Sequence, residues 1–102
     1  MTMKRIIDKP QISDMGSGFG HIEVPEGTAL KDALNWIRKN TKAWGLITIY
    51  RNNDDIIRRF DYDLYNNTIF YHNLSGWQYR YIVKKIEFNY CFMGEDINIY
   101  VK

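Results

Sequence analysis

The chain has 102 residues, enough for one domain, with 45% hydrophobic, 25% charged and 16% aromatic residues. That aromatic content argues against a disordered chain, and a net charge of +2 is too small to mark the whole protein as nucleic-acid-binding. One cysteine excludes an intrachain disulfide. Together with the absence of a signal-peptide core or a long apolar run, it points to a cytoplasmic protein that does not enter a membrane.

Residues 1–18 mix polar residues with Pro10, Gly16 and Gly18 and read as an irregular arm, with a short strand at residues 5–7. The single α+β domain is expected over 19–102. FGHIEV, residues 19–24, alternates as a strand, and Pro25-Glu26-Gly27 is a turn. The glycine-rich MGSGFG lacks the strand before and helix after that a dinucleotide fingerprint requires, so it reads as a mobile loop.

Thr28 is placed to cap a helix running to about Asn40. At about 100° per residue, Ala29, Leu30, Ala33, Leu34 and Ile37 share one stripe, with Trp36 at its edge. WGLITIY (44–50), IIRRFDYD (56–63) and TIFYH (68–72) read as a three-stranded meander, joined at RNNDD and LYNN. IEFNYCF (86–92) and DINIYV (96–101) form a terminal hairpin around Met93-Gly94-Glu95.

Between them, WQYRYIVKK (77–85) has two readings. As a strand it sets Trp77, Tyr79, Tyr81 and Val83 on one face. As a helix it starts from the capping-box pair Ser75 and Gln78 and aligns Tyr79, Ile82, Val83 and Ile86 at i, i+3, i+4, i+7 spacing. The helix is preferred. The expected fold is therefore α+β, a mostly antiparallel sheet in the order β-α-βββ-α-ββ with two helices packed on one face.

In the helix reading, Trp77, Arg80, Tyr81, Lys84 and Lys85 share an outward arc of about 140° with no acidic residue among them. Aromatic rings beside cations suit RNA, or an anionic protein or ribonucleoprotein surface. The bland alternative buries Trp77 and Tyr81 and leaves the cations solvated. A second cluster joins Arg58 and Arg59 to Tyr71 and His72 on the next strand. Aromatics on an open sheet face stack single-stranded bases, but Asp61 and Asp63 oppose this, and cross-strand pairs on a solvated face are the simpler account.

Nothing in the sequence calls for a cofactor. The paired acids Asp54/Asp55 and Asp61/Asp63 lack a third carboxylate, so no metal site is expected. Cys91 lies in an apolar strand and reads as packing. An enzyme is not expected; a small ribonuclease would have to use His21 and His72 with Arg58 or Arg80. An edge strand of the terminal hairpin would offer a route to a homodimer.

GTALKDALNWI, WGLITIY and DINIYV, in that order, resemble the layout of small α+β inhibitor proteins of Gram-positive phages and mobile elements, such as antirestriction and anti-CRISPR proteins. The resemblance covers residues 27–101 by order of elements. It implies a non-enzymatic inhibitor that occludes a CRISPR nuclease, its guide RNA or their complex. The net positive charge departs from the acidic composition of DNA mimics.

Overall fold

The computed structural model of the chain describes residues 3–10, 18–40, 44–51, 55–63, 74–91 and 94–102. Six strands and one helix follow in the order β1 (Lys4–Pro10), β2 (Gly18–Glu23), α1 (Leu30–Asn40), β3 (Trp44–Arg51), β4 (Asp55–Asp63), β5 (Val83–Cys91) and β6 (Gly94–Val101). The strands make one mixed sheet in the order β1-β2-β5-β6-β3-β4. β3 runs parallel to β6, and the other neighbouring pairs are antiparallel. The parallel pairing follows from α1. The chain leaves β2, crosses over the sheet as a helix and enters β3 in the same direction, with two strands left between them.

The predicted stripe of α1 is the buried one: Leu30, Ala33, Leu34 and Ile37 face inward, and Trp36 packs at the edge of the core. The helix begins two residues after Thr28, whose hydroxyl donates to the Pro25 carbonyl at 2.7 Å and closes the preceding turn. Below α1 the register stacks Ile22, Ile86, Ile99 and Ile49 in one row across four strands, and Phe88, Ile97 and Ile47 in the next. All of these are buried. Each such side chain contributes about 1.5–3 kcal/mol by leaving water.

The two-helix expectation is corrected. Among the described residues α1 is the one α-helix. The stretch expected as a second helix divides into a 3-10 turn, Gln78–Arg80, and the start of β5. A β-bulge explains the misreading. Val83 pairs with Val101 and Lys85 with Tyr100, so Lys84 is an extra residue in the ladder. Without a bulge, residues three apart on a strand face opposite ways. With it, Val83 and Ile86 both reach the core, a spacing that imitates a helix.

Residues 4–10, read as arm with a strand at 5–7, form the whole of β1. The terminal hairpin is present, but its strands are the two central ones, flanked by β2 and β3. It therefore offers no free edge for a homodimer. The third meander strand, residues 68–72, lies outside the described residues, as does Gly16. No helix among the described residues is long and apolar enough to cross a membrane.

Gly18 and Gly20 are strand residues whose missing side chains make room. A Cβ on Gly20 would collide with the Ile6 carbonyl and come 2.7 Å from the Phe88 ring; one on Gly18 would come 2.7 Å from the Tyr90 hydroxyl. Over this bare stretch of β2 lies Arg5. Its guanidinium sits 4.1 Å from the Phe88 ring centroid and 5.7 Å from that of Tyr90. It ends in an ion pair with the buried Glu95 of β6.

Candidate functional site

The segment 74–83 is short, but its backbone is held at both ends. Leu74 is buried. The Ser75 amide donates to the Gln78 side-chain oxygen and the Gln78 amide donates to the Ser75 carbonyl, both at 2.9 Å. This is the reach-back of Gln78 that the capping-box spacing predicts. The turn lasts one round: the Arg80 and Tyr81 amides donate to the Trp77 and Gln78 carbonyls at 3.2 Å. Tyr81 is then extended, at φ −53° and ψ 143°.

Competition from α1 accounts for the stop. The Tyr81 carbonyl accepts from the Leu30 amide at 2.7 Å, and the Val83 amide donates to the Thr28 carbonyl at 2.9 Å. Ala29 and Ile82 form an antiparallel bridge between these bonds. A longer helix would give up these contacts and the burial of Val83.

The inward positions of this turn are taken by Leu74, Gln78 and part of Tyr79. Trp77 is left outside, 62% exposed. It meets Tyr81 edge-on, with ring centroids 5.7 Å apart and planes at 63°. Tyr81 itself packs against the core, so it supports the Trp77 ring instead of sharing its exposure. Arg80 is exposed beside them. Between this turn and the first turn of α1 lies a groove of about 610 Å³, lined by Ala29, Lys31, Asp32, Gly76, Tyr79 and Arg80.

The five-residue face expected from a helix is thus divided. Trp77, Arg80 and Tyr81 stay together at the turn beside α1. Lys84 is the bulge residue. Lys85 belongs to the opposite face of the sheet, where its ammonium lies 4.7 Å from the Tyr100 ring centroid and 4.0 Å from a Glu87 carboxylate oxygen.

The second cluster is described only in part. Arg58 and Arg59 are exposed on β4, and the Arg59 Nε donates to the Thr48 hydroxyl at 3.2 Å. Tyr71 and His72 lie outside the described residues. The open face carries a different aromatic pair, not anticipated from sequence. Tyr50 and Tyr100 stack across the parallel strands β3 and β6, with centroids 5.0 Å apart and planes at 14°. Lys85 covers Tyr100 from the β5 side and Tyr50 covers it from the β3 side, so neither face of that ring is open to a base. Burial raises the Tyr100 hydroxyl pKa above its ordinary value, and the charge and hydrogen bond of Glu87 raise it further.

His21 lies on this same open face, with its Nδ1 2.6 Å from an Asp8 carboxylate oxygen. Arg80 lies on the α1 side, so the two are not brought together. The signal for the Trp77 turn was present in sequence as Ser75-Gly76-Trp77, a capping residue and a glycine ahead of a tryptophan. The groove could not be read, because it needs α1 placed against residues 76–80.

No family model matches the chain, and neither a curated protein nor a solved structure matches it.

Proposed function

We propose that the chain is a non-enzymatic binding protein. It docks on a nucleic-acid-handling protein or ribonucleoprotein through the Trp77 turn and blocks it, as its resemblance to phage and mobile-element inhibitors implies. One observation carries this reading: a tryptophan 62% exposed on a backbone tied to Thr28 and Leu30 at the start of α1 and to Lys102 just past β6. Burying such a ring against a partner releases a large apolar area at little cost in side-chain order, because Trp has only two rotatable side-chain bonds. Trp and Arg are also the residues most often dominant at interfaces. Arg80 supplies the charge, and Tyr81 props the ring.

Stacking of single strands on the sheet is the less favoured reading, since Tyr100 is covered by Tyr50 on one side and by Lys85 on the other.

Affinity capture from bacterial extract tests the proposal. Wild type, Trp77→Ala and Arg80→Ala would be compared with and without ribonuclease treatment. A partner that survives ribonuclease and is lost with Trp77→Ala supports the reading. A ribonuclease-sensitive partner replaced by direct, salt-dependent binding of the purified chain to protein-free RNA moves the assignment to RNA itself. A partner held equally by Trp77→Ala overturns the role of the turn.

A further inference from the structure

The groove beside the Trp77 turn has a lining of mixed chemistry. Tyr79 offers an aromatic wall held by the core. Ala29 and Gly76 keep the opening wide because they carry little or no side chain, and nothing lies within 4 Å of where a Cβ of Gly76 would stand. Lys31 and Arg80 bring two cations, and Asp32 brings one carboxylate. All three charged residues are exposed, and among the described residues no ion pair engages them. At about 610 Å³ the groove lies within the range of small-ligand sites, about 300–1,000 Å³.

We infer that this groove binds a guanine nucleotide. The inference rests on the proposed binding function of the same turn and specifies its ligand. The match is one of donors and acceptors. A purely anionic ligand would leave Asp32 repelled, and a purely cationic one would leave Lys31 and Arg80 repelled. A nucleotide carries both kinds of group. Its phosphate suits the cations, and its base suits an aromatic wall.

The carboxylate selects among the bases. Asp32 accepts hydrogen bonds only. Guanine presents two adjacent donors, N1–H and the N2 amino group, to one carboxylate. Adenine presents a ring nitrogen acceptor where guanine has N1–H, and a carboxylate is repelled there.

Calorimetric titration of the purified full chain at low salt tests this, with GMP, AMP, inorganic phosphate and the pentanucleotides UUGUU and UUUUU as probes. Saturable GMP binding is expected, with AMP at least tenfold weaker. Asp32→Asn, an exposed change that leaves the core alone, should reduce that preference to less than threefold. Arg80→Ala should weaken both nucleotides about equally.

UUGUU binding more tightly than GMP would assign the guanine to a single strand, and the reverse order to the free nucleotide. Phosphate binding as tightly as GMP, equal GMP and AMP affinity, or no saturable GMP binding by folded wild type would each overturn the inference. Partner capture by wild type and Asp32→Asn is read in parallel. Capture without GMP binding removes the groove ligand alone, and GMP binding without capture removes the occlusion reading alone.

Discussion

Arg5 and Glu95 form an ion pair across two intervening strands, with the arginine side chain 23% exposed and the glutamate side chain 0% exposed. The guanidinium reaches the carboxylate by passing over Phe88, where a cation–π contact favours the path. Removing one member of such a buried pair costs about 3–5 kcal/mol, because the other charge loses its counter-charge away from water. Arg5→Met should therefore lower the urea midpoint sharply, and Arg5→Met with Glu95→Leu should recover much of the loss. Arg5→Met within about 0.5 kcal/mol of wild type would show that the pair contributes nothing.

The two strand glycines should differ in what they tolerate. At Gly20 a new methyl meets the Ile6 backbone, which cannot step aside without opening the β1–β2 pairing. Gly20→Ala is expected to cost about 1–3 kcal/mol, the range for overpacking. At Gly18 the obstruction is the hydroxyl end of Tyr90, which can swing away, so Gly18→Ala should cost less. Amide exchange along Lys4–Pro10 should accelerate in the Gly20 variant. Equal stability of the two variants would contradict the close approach.

Lys84 matters by its presence and little by its chemistry. Lys84→Ala should change stability by less than about 0.5 kcal/mol, as for an exposed surface position. Deleting Lys84 removes the bulge and turns Val83 to the other face of the sheet. The loss of Val83 burial then costs about 1.5–3 kcal/mol. Thermal melts of the two variants check this, and a harmless deletion would disprove the register.

Tyr100 gives stability a dependence on high pH. Its pKa is raised in the folded chain, first by burial and then by Glu87. The folded state therefore holds this proton more tightly than the unfolded state does. That contribution is complete below the ordinary tyrosine pKa near 10 and is lost as pH rises through the folded value. Ultraviolet titration of tyrosinate should show a late-ionising group that vanishes in Tyr100→Phe and shifts earlier in Glu87→Gln. An unchanged titration in Tyr100→Phe would remove the assignment.

Trp77→Ala should separate folding from binding. With the ring mostly in solvent, the denaturation midpoint should move by less than about 1 kcal/mol, while a hot-spot tryptophan carries at least about 2 kcal/mol of partner affinity. Denaturation and affinity measured on the same preparation decide it. A large loss of stability would mean that the ring serves the fold.

Much of this fold was legible because local pattern and tertiary burial agree. The stripe of Leu30, Ala33, Leu34 and Ile37 gave α1, and the Ser75–Gln78 spacing gave a real hydrogen bond. The expected second helix was a bulged strand. Val83 and Ile86 lie three residues apart on one face because of Lys84, and periodicity cannot separate a bulged strand from a helix. The glycines at 18 and 20 are two apart, the spacing of one strand face, but their purpose appears only when Phe88, Tyr90 and Arg5 are placed over them. Pairing of Tyr50 with Tyr100 depends on β3 lying beside β6, which no local pattern encodes. In the site, Trp77 and Arg80 were readable as residue types, whereas the groove against Lys31 and Asp32 was not.

The strand order also sets a timetable. β2 and β3 are connected through α1 but do not touch, because β5 and β6 occupy the gap between them. A ribosome delivers the outer strands first and the middle of the sheet afterwards. Until residues 83–101 emerge, Leu30, Ile37, Ile47 and Ile49 have no complete surface to close against. Until then the apolar faces of the two flanks have no middle strands to join them, and the sheet can close only when the later hairpin fills the slot.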